Sequence, residues 1–254
     1  MDVVAGVDGL GPETGRLFAV VGVFDGIHLG HRYLLEHLVG EARRCDARPA
    51  VITFDSHPDE VILGAAPPLL VDPAERLALL GDAGVAVTVV QPFDAALRAT
   101  PYDVFVRRIT ARTSLAGLLM TPDTAFGYER RGTPAAVAEL GAASDPPFDV
   151  VVVPPFTVED RPVSSGDIRR RVADGDLDGA TRLLGRPYTV VGALGGDGAT
   201  VGFRLPVALP PPGDYAVTID GRRATARVRP SGDIAIVDGA PATTTVRLVF
   251  EAPG

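Results

Sequence analysis

Residues 18–45 constrain the fold of this 254-residue chain more than any other stretch. An apolar run at 18–21 is long enough for a buried strand, and a turn that contains Gly22 and Gly26 follows it. From residue 31 onward, leucine, valine and alanine recur at helical spacing. The stretch therefore predicts a strand, a glycine-containing turn and a helix over residues 31–45.

Two histidines stand at the entrance of that predicted helix. His28 and His31 are three residues apart, with Gly30 between them. Backbone N–H groups and the helix dipole favour a phosphate at this end of a helix, and Gly30 lets the backbone approach a ligand closely. Two imidazoles there can donate hydrogen bonds to oxygens that gain charge during phosphoryl or nucleotidyl transfer. The pattern predicts a site that handles phosphates.

The charge balance excludes some classes of function. The net charge is −8 and the isoelectric point is about 5.0, so the chain lacks the excess of basic residues that is typical of nucleic-acid-binding proteins. It contains no lysine, so any basic contact to phosphate comes from arginine, whose planar fork suits phosphate oxygens. The single cysteine, Cys45, forms no internal disulfide or zinc cluster. Without a signal-like start or a long apolar span, we expect a cytoplasmic protein without membrane contact.

Further along the chain, strand-period and helix-period segments alternate as far as residue 184, which is typical of βαβ units and a parallel sheet. From residue 188 the pattern changes to short alternating runs broken by Gly, Pro and Asp-Gly turns, which predicts a small antiparallel β-barrel. The predicted strands of the first part are residues 49–54, 85–90, 115–120 and 148–154, and its predicted helices are 72–80, 102–110, one from 165 and 177–184.

The string GVFDGIHLGH at residues 22–31 carries a family resemblance. Its HxGH motif after a strand resembles the nucleotidyltransferase superfamily, and the ten residues together resemble the prokaryotic FAD synthetases, which usually have a riboflavin kinase domain behind. The resemblance implies a Rossmann-like first domain in which His28 and His31 are catalytic. It also implies nucleotide contacts near the same turn, from Gly22, Phe24, Asp25 and Gly30.

Two further loops resemble that family at the ends of predicted strands. TFDSHP at residues 53–58 implies acceptor-binding roles for Asp55 and His57, at the strand ends where open α/β sheets bind ligands. The loop at 121–127 resembles the family's G-x-D-F-x-F-G string, which implies flavin contacts by Asp123, Phe126 and Gly127. Thr121 and Thr124 depart from it, and the second replaces an aromatic ring of the acceptor pocket.

The segment at 164–169 reads as a serine cap that opens a helix. It resembles the family's SST-x-I-R string, whose hydroxyls and arginine hold the β- and γ-phosphates of the nucleotide. Ser164, Ser165 and Arg169 match, and Arg169 joins the two histidines as a catalytic candidate. Gly166 stands where the family has threonine, so one hydroxyl contact is missing.

The C-terminal part resembles a reduced riboflavin kinase domain. LGRPY at 184–188 resembles the boundary between the family's two domains, which places them at residues 1–186 and 187–254. The kinase needs a Thr and an Asn in a GFPTAN string, whereas this chain has GFRLPV at 202–207. It also needs a glutamate as general base in a late strand, where this chain has Arg247. We therefore expect a barrel without kinase activity, whose role is structural, dimerising or flavin-binding.

These observations favour an FMN adenylyltransferase that converts ATP and FMN to FAD and pyrophosphate. Mg²⁺ would arrive with ATP and keep much of its water, so we expect no metal ligands from the protein. One alternative is a nucleotidyltransferase with another acceptor or with CTP, suggested by Thr121, Thr124 and Gly166. The other is a flavin or nucleotide sensor without catalysis. The sequence leaves the oligomeric state open.

Overall fold

The protein divides into two compact units, seen in a computed structural model that describes residues 1–239, 241 and 243–251. The first unit comprises Met1–Phe24, Gly30–Pro67 and Leu77–Phe156. The second comprises Asp25–Leu29, Pro68–Arg76 and the chain from Thr157 onward. The residues of the 22–31 motif are therefore shared between the two units.

A six-stranded parallel sheet forms the centre of the first unit. Its strands lie in the order β1-β4-β3-β2-β5-β6, and every neighbouring pair is parallel. Helices cover such sheets on both faces, so their strands are apolar throughout rather than alternating. The six strands are β1 (Asp2–Ala5), β2 (Leu17–Val21), β3 (Arg48–Phe54), β4 (Val87–Gln91), β5 (Leu115–Met120) and β6 (Asp149–Val152).

Helices connect these strands in the alternation that the sequence predicts. Apolar residues of the sheet and of the helix that precedes β5 share one buried core, which includes Ala19, Ile52 and Leu118 from the sheet and Phe105 and Ile109 from the helix. The helices are α1 (Leu29–Arg44), α2 (Pro58–Leu63), α3 (Pro73–Asp82), α4 (Ala95–Arg98), α5 (Tyr102–Thr110) and α6 (Pro134–Ala142).

A closed antiparallel barrel dominates the second unit. Its strands follow one another around the barrel in the order β10-β13-β12-β11-β14-β9. Two helices and a short hairpin precede it: β7 (Thr157–Val158), β8 (Arg161–Pro162), α7 (Ser165–Ala173) and α8 (Leu177–Leu184). The barrel strands are β9 (Thr189–Leu194), β10 (Thr200–Gly202), β11 (Gly213–Ile219), β12 (Arg222–Val228), β13 (Ile234–Asp238) and β14 (Thr245–Phe250).

The predicted fold class is confirmed, with differences at the level of elements. α5, β5 and α8 have the predicted bounds. The first helix begins at Leu29, two residues before the predicted start, and ends at Arg44. The strand predicted at 148–154 is the shorter β6. The sequence analysis missed the short elements β1, β10, α2 and α4 and the nine-residue α6, because they are too short or too rich in alanine for a clear period.

The predicted boundary after residue 186 stays a prediction, although the units group the chain differently. α7 and α8 belong to the second unit, together with the barrel. Ile168 of α7 and Leu184 of α8 share a buried core with barrel residues such as Val217 and Leu248, which explains the grouping.

In the part of the chain that the structure describes, none of the helices combines the length and apolar character that crossing a bilayer requires.

Gly117 in β5 gives a direct test of how closely the sheet packs. A Cβ at this position would lie 2.5 Å from Cε2 of Phe18 and 2.9 Å from the carbonyl oxygen of Asp149. We expect Gly117→Ala to lower the free energy of unfolding in urea by about 1–3 kcal/mol, since overpacking forces neighbours to shift. Gly40→Ala is the matched control, because a Cβ on Gly40 of α1 meets nothing within 4 Å. It should stabilise by up to about 1 kcal/mol. Equal effects of the two substitutions would contradict this packing.

Candidate active site

The strand order creates a crevice at one edge of the parallel sheet. β2 lies between β3 and β5. After β2 the chain adds β3 and β4 on one side of it, and then β5 and β6 on the other side. In open α/β sheets, ligands bind beyond the carboxyl ends of the strands at such a reversal point. The loops that follow β2 and β5 begin at residues 22 and 121, and both carry parts of the predicted site.

A cavity of about 730 Å³ opens at these strand ends in the first unit. Its wall is mainly apolar and aromatic, and it includes side chains from the ends of β3 and β4 as well as from the two loops. Two cations, Arg98 and Arg130, also line it. Four predicted site residues line the cavity, namely Gly22, Asp123, Phe126 and Gly127, and the other aromatic wall residues are Phe54, Phe93, Phe105 and Tyr128.

The loop after β5 closes on itself through two threonines. The Thr124 hydroxyl lies 2.7 Å from the Thr121 hydroxyl and accepts a hydrogen bond from the Thr121 N–H at 3.1 Å. The two departures from the family string therefore form one turn, in which a hydroxyl replaces the expected aromatic ring. At Gly127, φ is +76° and a Cβ would lie 2.5 Å from the backbone nitrogen of Tyr102. That position requires glycine.

Asp55 and His57, predicted to bind the acceptor, make structural contacts at the ends of β3 and β4. The Asp55 Oδ1 accepts a hydrogen bond from the Phe93 N–H at 3.0 Å, which joins the loops after the two strands. His57 caps α2, and its Nδ1 accepts from the Asp59 N–H at 3.2 Å. These residues shape the strand ends, whereas Phe54 and Phe93 beside them line the cavity.

In the first unit, His31 lies in the first turn of α1 and contacts Phe24. The two ring centroids are 4.9 Å apart. Phe24 is buried and has a φ of +53°, so the backbone turns sharply where the motif leaves β2. Gly22 accommodates this turn, because a Cβ there would approach the Phe24 ring to 3.0 Å. Phe24 thus holds the ring of His31 by packing.

In the second unit, the Asp25 carboxylate is the centre of a buried polar cluster. Asp25 is 2% exposed. Both of its oxygens accept from the Leu70 N–H, at 3.0 and 3.1 Å, and Oδ2 accepts from Nη2 of Arg169 at 2.6 Å. Nε of Arg169 donates to the Pro68 carbonyl at 2.8 Å. Asp25 and Arg169, assigned separately from the sequence, form one ion pair.

The serines of the 164–169 segment open α7 as predicted. Ser164 is the N-cap residue, and its Oγ accepts from the Asp167 N–H at 3.2 Å. The Ser165 hydroxyl donates to the Asp25 carbonyl at 2.8 Å, so it joins the same cluster. Around Gly166 there is room for a larger side chain, because the nearest atom to an added Cβ is the Ser164 Oγ at 3.9 Å.

His28 also belongs to the second unit, where it is 4% exposed. Burial, together with the smaller effects of the positive charges of Arg186 and Arg169, lowers the pKa of this imidazole from 6.5 to about 4. His28 is therefore neutral at pH 7. A neutral imidazole carries one N–H donor and one acceptor nitrogen.

No group of three or more His, Cys, Asp or Glu side chains among residues 1–239, 241 and 243–251 could hold a metal ion.

The sequence analysis missed two parts of the candidate site. The Leu70 N–H lies 45 positions from Asp25 in the chain, and a backbone donor leaves no signal in a sequence motif. The cations Arg98 and Arg130 line the cavity from outside any of the quoted motifs.

Comparison with known proteins decides the family. A family model of FAD synthetase matches residues 12–167. The chain belongs to the FAD synthetase family. A bifunctional riboflavin kinase/FMN adenylyltransferase of Haemophilus influenzae is 34% identical over 190 residues, which are 72% of this chain and 60% of the relative. The protein of the same name from Escherichia coli K12 is 31% identical over 238 residues, which are 87% of this chain and 74% of the relative.

The chain spans about 60% of the length of the Haemophilus relative. A solved structure described as a macrolide-efflux protein from Streptococcus pneumoniae superimposes with a TM-score of 0.82 and 24% identity over 98% of each chain. At that identity the likeness supports the fold alone.

The buried Asp25–Arg169 pair of this family member predicts a large cost when one partner is removed. Asp25→Asn keeps an oxygen for the Leu70 N–H but leaves Arg169 without its buried counter-charge. We expect a loss of about 3 kcal/mol in the free energy of unfolding in urea. Asp214→Asn is the control, because the Asp214–Arg227 pair on the barrel has exposed side chains that solvent screens. A cost no greater than that of the control would contradict the buried cluster.

The lowered pKa of His28 predicts an acid-dependent loss of stability. Between pH 6.5 and pH 4 the unfolded imidazole takes up a proton that the folded protein excludes, so stability falls as the pH is lowered. From pH 7 to pH 5 this loss amounts to about 2 kcal/mol. His28→Gln should therefore flatten the pH dependence by that amount in urea titrations. Identical profiles for His28→Gln and the unsubstituted protein would contradict the burial of His28.

Proposed function

We propose that this protein transfers AMP from ATP to FMN, which yields FAD and pyrophosphate. The observation that carries the proposal is the aromatic cavity of about 730 Å³ at the reversal point of the sheet. A flavin ring system is planar, largely apolar and of the size that such pockets accommodate. Membership in the FAD synthetase family and the names of its relatives support the same acceptor.

The cavity also offers groups for the polar ends of FMN. Arg98 and Arg130 supply positive charge to a wall that is otherwise mostly apolar. Their positions are held by hydrogen bonds to the Val61 and Asp123 carbonyls, both at 3.3 Å. Guanidinium groups pair well with phosphate oxygens. We therefore assign Phe126 and Gly127 to contacts with the flavin ring, and Asp123 to contacts with a polar part of FMN. Asp55 and His57 support the cavity wall.

The chemical step needs no covalent intermediate with the protein. An oxygen of the FMN phosphate attacks the α-phosphorus of ATP, and the bond from that phosphorus to the bridging oxygen of the β-phosphate breaks. The electron pair leaves with pyrophosphate, and the new P–O bond forms the pyrophosphate link of FAD. For such a reaction the protein supplies positioning and charge stabilisation.

His28 and His31 are assigned to the α-phosphate by their places in the HxGH motif. His28 is neutral at pH 7 before substrate binds, so its N–H can donate to a phosphate oxygen without a buried charge to maintain. The negative charge of ATP would raise the pKa of His28 and strengthen that donor in the transition state. Gly30 and the first turn of α1 add backbone N–H groups to the same phosphate.

The β- and γ-phosphates are assigned to the start of α7. Ser164, Ser165 and the backbone of Gly166 stand in its first turn, and Arg169 follows one turn later. Asp25 holds Arg169, so we assign Asp25 to positioning rather than to a direct contact with ribose or base. Mg²⁺ enters with ATP as part of the substrate complex and is held by phosphate oxygens and water.

We propose further that the barrel does not phosphorylate riboflavin. The kinase base must accept a hydroxyl proton, but Arg247 at that sequence position has no acceptor atom and forms an ion pair with Glu75 instead. The residues at 202–207 contain neither the Thr nor the Asn that the kinase uses.

The proposed transfer predicts that purified protein with Mg²⁺, ATP and FMN releases pyrophosphate in step with FAD. His31→Asn should lower kcat at least about a hundredfold, since a donor to the reacting phosphate is lost. His37→Asn is the matched control, because His37 lies on the same helix but bonds to the Tyr33 carbonyl and is exposed. It should keep kcat within about twofold.

Three outcomes of that assay would contradict the proposal. Turnover with CTP and not with ATP would reassign the nucleotide. Pyrophosphate release with another phosphorylated acceptor and none with FMN would reassign the acceptor. This is the strongest rival hypothesis, because the Thr121–Thr124 turn lies in the cavity wall. Tight binding of FMN or ATP without any turnover would make the protein a sensor.

A further inference from the structure

Segment 68–76 connects the barrel to the groups that hold Arg169, and all of these residues belong to the second unit. At its first end, the Pro68 carbonyl accepts from Nε of Arg169 and the Leu70 N–H donates to Asp25. Leu70 itself is buried in the core that the barrel shares with α7 and α8. The start of the segment therefore fixes the guanidinium of Arg169 from two sides.

Backbone hydrogen bonds attach the same segment to the loop between β10 and β11. The Leu69 N–H donates to the Pro206 carbonyl at 2.8 Å, and the Ala208 N–H donates to the Leu69 carbonyl at 2.9 Å. These bonds form a parallel bridge between Leu69 and Val207. The Ala208 carbonyl in turn accepts from the hydroxyl of Tyr188, which is fully buried at the start of the barrel. A displacement of this loop would move the segment with it.

An ion pair attaches the far end of the segment to the barrel wall. Nη1 of Arg247 on β14 lies 2.5 Å from Oε1 of Glu75, although the two groups are not aligned as a hydrogen bond. The Glu75 side chain is 9% exposed and that of Arg247 is 52% exposed. Between the two ends, the Asp72 carboxylate accepts from the Ala74 N–H at 2.8 Å and begins α3.

We propose that the barrel acts as a positioning element for nucleotide binding, with Glu75 and Arg247 as positioning residues that act through segment 68–76 on Arg169. This inference rests on the proposed function, because it takes Arg169 to bind the β- and γ-phosphates. It gives the barrel a role in the adenylyl transfer that requires no kinase chemistry. Arg247 stands where a kinase would need its base, and its positive charge instead stabilises the site that binds the nucleotide.

The test measures ATP binding and turnover of the full chain with Glu75→Gln, Arg247→Gln and the double variant. Loss of the ion pair loosens the segment that holds Arg169, so each single variant should raise the Kd for Mg²⁺–ATP and the KM for ATP roughly fivefold. The KM for FMN should stay within about twofold, since the cavity in the first unit does not use the segment. The double variant should be no worse than either single variant.

Two controls separate positioning from a general loss of structure. Arg247→Lys keeps the charge and should restore most of the affinity for ATP. Arg227→Gln removes a comparable ion pair between β12 and β11, with Asp214 at 2.6 Å, and should leave the KM for ATP unchanged. Melting temperatures of all variants show that each one folds.

The inference is overturned if Arg247→Gln and Glu75→Gln change the KM and Kd for ATP no more than Arg227→Gln does, or if they change the KM for FMN equally. Calorimetric binding of Mg²⁺–ATP keeps the test independent of the proposed reaction. A protein that binds ATP but makes no FAD would refute the proposed function while the ratio of Kd values still decides the positioning role. A protein that binds no ATP would refute both.

Discussion

The buried carboxylate of Asp25 is the interaction on which the second unit most depends. It accepts from the Leu70 N–H and from Arg169, and the backbone carbonyl of Asp25 accepts from the Ser165 hydroxyl. A carboxylate that is 2% exposed is tolerated only with such partners, because an unpaired buried charge is very costly. One residue of the motif thereby joins segment 68–76 and α7. These are the places where the phosphate-binding groups of the proposed site are held.

Each of the two units, taken by itself, carries its own kind of chemical group. The first supplies an aromatic cavity at the reversal point of a parallel sheet, where strand ends leave room for a flat apolar acceptor. The second supplies serine hydroxyls, a fixed guanidinium and a histidine kept neutral by burial. Groups of these kinds can position phosphates and stabilise their charge without a covalent intermediate.

Much of the fold could be predicted from the sequence because its signals are local. The strand at 17–21, the helices α5 and α8 and the serine cap of α7 follow from apolar period and capping chemistry. The candidate residues of the HxGH and SST-x-I-R strings could be named because these strings resemble motifs of the family. What could not be predicted depends on distant partners. The Asp25–Arg169 pair, the Leu70 donor and the Glu75–Arg247 pair join residues far apart in the chain, and no local pattern encodes them.

The most direct test of the account offers the protein isotopically labelled FMN together with unlabelled riboflavin, in the presence of ATP and Mg²⁺, and determines the mass of the FAD formed. The account predicts that all FAD carries the label, because the protein adenylates FMN and the barrel does not phosphorylate riboflavin. Unlabelled FAD would show that a kinase site exists in the barrel. The absence of any FAD would contradict the central claim that this member of the FAD synthetase family transfers AMP to FMN.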